Sequence, residues 1–176
     1  MLLGGGLVGC AAEPAPAPEP SATEAPEVEP IFASDEEALA AALAVYDGYL
    51  AVDREIGAAS GAQPERVREF VTDDYATSAI TQYSALSNTG GRIEGPVVYD
   101  SAKLIQWGAA ESGATDVQVY VCSDVSRAHL FNAAGGDDMT PADRQERLPL
   151  SLIFRASDGS KLLLDESALW SGSSTC

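Results

Sequence analysis

The feature that most constrains the fold is an alternation of apolar and polar residues in the second half of the chain. In TDVQVYVCSDVSRAHLFN, which begins at Thr115, valines stand at positions 117, 119, 121 and 125. Successive side chains of a β-strand point to opposite faces of its sheet, so this segment predicts one strand with a buried valine face. LPLSLIFRAS and KLLLDESALWSG predict two more strands, joined by the tight turn DGS. A further strand is predicted around Val97–Trp107, interrupted near Asp100.

Before residue 91 the apolar residues follow a helical period instead. In SDEEALAAALAVYDGYLAVDREIG they recur every three or four positions, with Ser34 or Asp35 as the cap and Glu37 placed for a capping box. Pro64 predicts the start of a second helix, PERVREFV, because proline is favoured at the first helical position. A third helix, TDDYATSAITQYSALS, begins with a capping Thr or Asp and ends at NTGG.

This order of elements predicts an α+β domain. The N-terminal helices are expected to pack on a curved antiparallel sheet of about four strands, because each element must bury its apolar face against another. By analogy of element order, a long first helix lying across a strongly curved sheet is the layout of the NTF2-like, or cystatin-like, cone. The domain is predicted to cover residues 34–176.

Residues 11–33 differ from the rest of the chain in composition. The stretch AAEPAPAPEPSATEAPEVEP at positions 11–30 is dominated by Pro, Ala and Glu and holds no basic residue. Such a stretch cannot bury enough apolar surface to fold, so we predict a disordered linker. Proline stiffness and charge repulsion extend it.

Cys10 immediately precedes this linker, in MLLGGGLVGC. LVGC matches a bacterial lipobox, so residues 1–10 are predicted to be the remnant of a signal peptide and Cys10 the lipidation site that anchors the protein to the membrane. The segment has no Lys or Arg and is short for a secretory signal, which predicts a true translation start further upstream. The alternative is an idle thiol in a disordered tail.

The formal net charge of -17 restricts the partners of the chain. Binding to nucleic acid needs Lys and Arg to displace counterions from phosphates, so we predict no nucleic-acid partner. Docking on anionic lipid headgroups is disfavoured for the same reason. No apolar run is long enough for a transmembrane helix, and the predicted location is extracytoplasmic, on the cell membrane.

Cys122 and Cys176 are the other two cysteines. Lipid on Cys10 leaves an even number, and export places the domain in an oxidising compartment, so we predict a disulfide between Cys122 and Cys176. It would hold a terminal segment that otherwise frays. The alternative is two free thiols, one buried and one at a frayed end.

His129 is the only histidine of the chain. A histidine beside a carboxylate can perform acid–base chemistry, but strand alternation places Asp124 and His129 on opposite faces. Arg144 and Arg147 are expected to form salt bridges with the acidic surroundings, the alternative being an anionic ligand.

Paired carboxylates occur twice, as Asp73-Asp74 and Asp137-Asp138. The first pair suits the start of a helix, where the helix dipole favours negative charge. The second lies in a glycine-rich loop and is expected to be solvated. Neither pair belongs to an EF-hand pattern, and no His–Cys cluster suits zinc, so we predict no metal site and no cofactor.

Amphipathic aromatic residues outnumber the phenylalanines and can line a pocket with a polar floor. The alternative is that they form the core, because several fall on the apolar stripes of the helices. The aromatic residues in question are Tyr46, Tyr49, Tyr75, Tyr83, Tyr99, Tyr120 and Trp107. The candidate ligand pocket comprises Tyr46, Tyr83, Trp107, Tyr120 and His129.

The segments VQVYVCSDVSRAHLFNAAGGDDMTPADRQERLPLSLIF and LLLDESALWSGSSTC resemble a family of small, uncharacterised actinobacterial lipoproteins. Members share a Val-Cys-x-Asp-Val-Ser strand, a Thr-Pro-x-Asp-Arg loop and a terminal Trp-Ser-Gly-x-x-x-Cys. The resemblance covers residues 36–176 in element order and is sharp from about residue 117 onward. It implies an exported, lipid-anchored, NTF2-like domain and no particular activity.

Two functional expectations follow. The first is a non-enzymatic lipoprotein whose domain binds a small ligand or a protein partner at the cell envelope. The second is an enzyme similar to the SnoaL-like group, with an acid–base pair inside the cone. No residue here matches that group's Asp and His by motif, so binding is preferred to catalysis. A purely structural envelope protein is the remaining alternative.

Overall fold

The computed structural model describes residues 31–110, 113–133, 136–157, 161–173 and 176. The predicted lipobox with Cys10, most of the predicted linker and the DGS turn lie outside the described residues. The elements are α1 (Asp35–Ala58), a 3₁₀ helix (Pro64–Glu69), α2 (Asp73–Thr89), β1 (Arg92–Glu94), β2 (Val98–Ala109), β3 (Thr115–Asp124), β4 (His129–Phe131), β5 (Arg147–Ala156) and β6 (Leu163–Leu169).

Side chains cap both long helices where the sequence predicts caps. The Ser34 hydroxyl accepts a hydrogen bond from the Glu37 N–H at 3.2 Å, and the Glu37 carboxylate accepts one from the Ala33 N–H at 2.7 Å. These contacts satisfy donors that have no partner within the helix. Thr72 caps α2 in the same way through the Tyr75 N–H.

The predicted second helix forms only a six-residue 3₁₀ helix. Its sequence is too short to gain from helical cooperativity, and its direction is set by packing. Phe70, immediately after it, lies against Gly48 of α1, where an added Cβ would come within 2.2 Å of the Phe70 ring. A larger residue at this crossing would force the Phe70 ring to move.

The main sheet has four antiparallel strands in the order β2-β3-β5-β6, and it is open. The predicted interruption of the first of these strands is present, because the β2–β3 register shifts between Asp100 and Lys103 and Ser101 has φ +55°. β1 and β4 form a separate two-stranded sheet in which Ile93 pairs with Leu130.

The prediction of one continuous strand from residue 115 to residue 132 was wrong. β3 ends at Asp124, whose carboxylate accepts a hydrogen bond from the Ser126 N–H at 2.9 Å. This local Asx turn competes with the strand, and a second turn follows from the Ala128 N–H to the Val125 carbonyl. The chain then enters β4, which belongs to the other sheet.

The core lies between the helices and one face of the main sheet. Val117, Val119 and Val121 of β3 are fully buried, as the alternation predicts. Leu152 and Phe154 of β5 lie on the same buried side. Small residues on α1 and α2 let the helices approach the sheet closely, namely Ala38, Ala42, Ala76 and Ala79. The predicted α+β arrangement, with helices packed against an antiparallel sheet, is confirmed.

Trp170 and Cys176 pack on the opposite face of the sheet. Tyr120 points to this side and contacts the Trp170 ring edge-on, with ring centroids 5.5 Å apart. Cys122 and Cys176 form a disulfide with a Cα–Cα distance of 5.5 Å, within the range that the bond requires. A structural disulfide is typical of proteins in oxidising compartments. Among the described residues, no helix has the length and apolar content needed to cross a membrane.

Candidate functional site

A cavity of about 830 Å³ opens between the two long helices and β6. Tyr49 and Asp53 line it from α1, Tyr75 and Tyr83 from α2, and Ser167 from β6. Residues four apart lie on one face of a helix, which brings Tyr49 and Asp53 together and aligns the side chains at positions 75, 79 and 83. Two helices crossing the end of the sheet therefore direct their polar side chains toward the same space.

Three tyrosines and one aspartate form the polar side of this cavity. The Tyr83 hydroxyl donates a 2.5 Å hydrogen bond to the Asp53 carboxylate. The hydroxyls of Tyr49 and Tyr75 are 3.5 Å apart. The rings of Tyr49 and Tyr75 stand nearly perpendicular, at 88°, with centroids 5.8 Å apart, and so form a corner. We refer to Tyr49, Asp53, Tyr75 and Tyr83 as the tyrosine–aspartate cluster.

Burial dominates the electrostatics of this cluster. It raises the pKa of Asp53, which the hydrogen bond from Tyr83 partly counteracts. Burial also raises the pKa of each tyrosine of the cluster, and the neighbouring Asp53 carboxylate raises it further. At neutral pH the tyrosines are therefore hydroxyl donors or acceptors and do not act as bases.

The other side of the cavity is apolar. Ile93 of β1 and Leu130 of β4 are register partners that both line it, and each retains 37% exposure. Leu86 of α2 extends the same surface. The small two-stranded sheet thus supplies an apolar wall opposite the hydroxyl groups.

Further carboxylates stand at the edge of the cavity. Asp165 and Glu166 line it from β6, and Asp74 from the first turn of α2. Asp165 is compensated, because it pairs with Arg155 at 2.6 Å and accepts a hydrogen bond from Thr72 at 2.9 Å. None of the described residues that line the cavity is Lys, Arg or His.

The structure does not bring the five predicted pocket residues together. Tyr83 lines the cavity, and Tyr46 is buried beside it, with its ring stacked on Tyr49 at 6.3 Å. Trp107 lies elsewhere on the helical side and donates to Asp35 at 2.7 Å. Tyr120 lies on the opposite face of the sheet, because its position in β3 has the other phase from the valines.

His129 lies outside the cavity, on a part-exposed surface. Its Nδ1 is 2.9 Å from the Asp138 carboxylate, with side-chain exposures of 42% and 45%. The pairing with Asp124 that strand alternation disfavours is not formed. Asp124 instead contacts Arg147 at 3.4 Å.

Arg144 and Arg147 make different kinds of contact. Arg147 forms the expected salt bridges, with Asp100 at 2.9 Å in addition to Asp124. Arg144 does not: its guanidinium donates to the main-chain carbonyls of Val125 and Ala128 at 2.8 and 2.7 Å. It therefore holds the turns between β3 and β4 in place.

Sequence reasoning missed Asp53. The available signal was its spacing of four residues from Tyr49 on a predicted helix, where a carboxylate interrupts the apolar stripe. In the described part of the chain, no group of three or more His, Cys, Asp or Glu side chains is placed to hold a metal ion. The cluster is thus suited to hydrogen bonding and charge pairing with an organic molecule.

Comparison with known proteins gives a structural similarity only. No protein-family model matches the chain, and no curated protein matches it. Among solved structures it is similar to the intermembrane space region of the chloroplast protein ARC6, with a TM-score of 0.52 and 8% identity. The match covers 73% of this chain and 92% of that one. At this identity the likeness concerns the fold alone.

Proposed function

We propose that this chain is an extracytoplasmic domain that binds a small organic ligand in the cavity between α1, α2 and β6. The observation that supports the proposal is the juxtaposition of the tyrosine–aspartate cluster with an apolar wall across about 830 Å³. Small-molecule sites typically have volumes of roughly 300–1,000 Å³, mostly apolar linings and a few convergent polar groups. The cavity has a volume in this range and convergent polar groups opposite an apolar wall, and its lining is more polar than usual.

The proposal includes a tether to the membrane. A lipid on Cys10 and an extended linker would hold the domain away from the bilayer surface. Support comes from LVGC and from the acidic, proline-rich segment that follows it. The disulfide is in keeping with an oxidising location. The finer assignments, an NTF2-like cone and membership in the actinobacterial lipoprotein family, belong to this proposal as well.

One observation favours a second candidate, an acid–base enzyme. Asp53 is a partly buried carboxylate inside a cavity, and its raised pKa moves it toward the range in which a general base operates. The SnoaL-like alternative would then use Asp53, with Tyr83 as its hydrogen-bond partner, and not His129. Turnover of a bound compound that Asp53→Asn abolishes, with binding retained, would support this alternative.

A neutral dye tests whether the cavity binds ligands. N-phenyl-1-naphthylamine becomes fluorescent in apolar surroundings, and we expect the full chain to bind it. Ser78→Trp should block binding, because Ser78 lines the cavity at the exposed surface of α2. Ser84→Trp is the matched control, since Ser84 is exposed on the same helix and is not among the lining residues. Equal binding by both variants would refute the proposed site.

Detergent partitioning tests the tether. Expressed in an actinobacterial host with a secretory signal peptide of that host placed before LVGC, the protein should enter the detergent phase and carry the mass of a lipid. Cys10→Ser should release it into the aqueous phase. An unmodified protein whose Cys10→Ser variant stays on the membrane would refute the lipid anchor.

A further inference from the structure

We infer that the cavity selects an organic cation, a primary or quaternary amine attached to an apolar body. The inference rests on the proposed binding function and adds the chemical class of the ligand. The observation that carries it is an aromatic corner and a carboxylate on one wall, with aliphatic side chains on the wall opposite.

The charges in the cavity have one sign. Asp53, Asp74 and Glu166 line it together with Asp165, and the lining residues within the described ranges include no basic side chain. Arg155 pairs with Asp165 as well as with Asp116, whereas Asp53 has only the Tyr83 hydroxyl as its hydrogen-bond donor among the contacts of the described residues. A hydroxyl stabilises a carboxylate without neutralising it. A ligand with positive charge would supply the missing counter-charge.

The aromatic rings suit a cation as well. Tyr49 and Tyr75 meet at 88° beside Asp53, so a cationic group at this corner has the face of a ring available to it. The negative face of an aromatic ring attracts ammonium groups, and this attraction strengthens when water is excluded. Proteins commonly recognise quaternary ammonium ions with aromatic rings in this way.

The apolar wall determines the rest of the ligand. Ile93, Leu130 and Leu86 offer aliphatic surface across the cavity from the cluster. An amine that carries an aromatic or aliphatic body would bury that body against these side chains while its charge faces Asp53. A bare metal ion would leave this wall unused, and the described residues hold no metal-ligand group. Anions are disfavoured, because they would meet uncompensated carboxylates.

The raised pKa of Asp53 agrees with this geometry. Burial raises the pKa because it removes water from the ionised carboxylate, and the hydrogen bond from Tyr83 offsets only part of this effect. A cation bound within a few ångströms favours the ionised form. Binding of an amine should therefore release protons at a pH near the pKa of Asp53, and binding of an uncharged analogue should not.

Three probes of similar shape distinguish the contribution of the ligand's charge to affinity from that of its apolar contacts. We would titrate the full chain with 4-phenylbutylamine, 4-phenyl-1-butanol and 4-phenylbutyrate by calorimetry at neutral pH and physiological salt. The amine should bind about tenfold more tightly than the alcohol, which is the size of one good charge interaction. The carboxylate should bind most weakly. This ranking is measured on the unaltered chain, so it does not depend on the folding of any variant.

Asp53→Asn should remove most of the amine's advantage and leave the affinity for the alcohol within about twofold. Asp47→Asn is the matched control: Asp47 lies on the same helix but contacts Tyr99 outside the cavity, so neither affinity should change. Equal loss in both variants would indicate a general effect of net charge and overturn the inference.

The remaining outcomes separate the inference from the proposed function. Equal affinity for the amine and the alcohol, or preference for the carboxylate, would overturn the cationic ligand while the binding cavity stands. Binding of the neutral dye without binding of any of the three probes would also overturn the cationic ligand and leave the proposed binding cavity in place. Failure of the dye as well as the probes would refute the proposed function itself.

Discussion

The two faces of the main sheet are covered in different ways. The face toward the helices is buried under two α-helices, yet it keeps a cavity lined by Asp53 and three tyrosines. The opposite face is covered by a short C-terminal segment that Trp170 and the Cys122–Cys176 disulfide hold in place. Burying polar groups lowers the stability of the folded state, whereas a disulfide raises it. The proposed binding cavity therefore lies on the face that also holds the core, and the disulfide lies on the other face.

Breaking the disulfide should have the largest effect. Cys176→Ser removes the bond without altering the buried Cys122 position. The bond joins residues 54 positions apart, for which loop-closure entropy predicts a loss of about 4 kcal/mol in the free energy of unfolding. Chemical denaturation measures this loss. Dye binding at the helical face should not change while the protein stays folded.

Ser171→Ala is the control for that experiment, because Ser171 is exposed in the same C-terminal segment. A loss below about 1 kcal/mol in Cys176→Ser would contradict a stabilising role for the disulfide, since removal of native disulfides typically costs more.

Removing the hydroxyl of Tyr83 should have the next largest effect. Tyr83→Phe leaves the partly buried Asp53 without its donor, and an unsatisfied buried group costs about 1–3 kcal/mol. Tyr99→Phe serves as the control, because its partner Asp47 is exposed and regains water. Its cost should stay below about 1 kcal/mol. Urea denaturation measures both losses. Equal losses in the two variants would contradict the expectation that the hydrogen bond to Asp53 contributes more to stability than the hydrogen bond to Asp47.

Asp53→Asn should change the pH dependence of stability. The pKa of Asp53 is raised above 3.8 by burial, so the folded state holds this proton more tightly than the unfolded state does. The contribution of Asp53 to stability is therefore greatest below pH 3.8 and declines as the pH rises through its folded pKa. Asparagine has no such dependence, so Asp53→Asn should gain stability relative to the unaltered chain as the pH rises from acid to neutral.

Asp100→Asn should show the opposite sign. The Arg147 guanidinium lowers the pKa of Asp100, so the ionised carboxylate stabilises the folded state above pH 3.8, and this stabilisation is lost as the pH falls through the folded pKa. Denaturation series from acid to neutral pH measure both slopes. If the effects of the two substitutions on stability changed with pH in the same direction, the expected difference between buried Asp53 and exposed Asp100 would be contradicted.

His129→Ala should have the smallest effect. The pair with Asp138 is part-exposed and lies outside the cavity, and such surface changes usually stay within about 0.5 kcal/mol. Dye affinity should also remain the same. A clear fall in dye affinity would place His129 in the binding site and revive the pocket predicted from the sequence.

Local features were predictable because neighbouring residues determine them. Ser34 and Thr72 cap their helices through N–H groups three residues away, and the valines of β3 alternate with the pleat of the strand. The interruption of β2 near Asp100 was visible for the same reason. The end of β3 was missed because the carboxylate of Asp124 and the N–H of Ser126 outweighed a favourable alternation.

The cavity was only partly predictable. Tyrosines on the helices suggested a pocket with a polar floor, but the sequence could not distinguish Tyr83, which lines the cavity, from Tyr120, which lies on the opposite face of the sheet. Which residues line the cavity depends on how α1 crosses the sheet and on which strand forms the edge of the sheet. Asp53 and Tyr83 are 30 residues apart in the sequence. Both are separated from the cavity-lining residues of β6 by more than twice that number of residues.

The sequence by itself determined the two long helices, the four strands of the main sheet, the buried valine face and the choice of cysteines for the disulfide, since periodicity, caps and a count of thiols depend on the chain alone. Only the tertiary structure decided which side chains surround the cavity and that Asp53 has no basic partner among the described residues there. Packing brings together residues that are distant in sequence, and burial then sets the pKa and the charge balance that a ligand would meet.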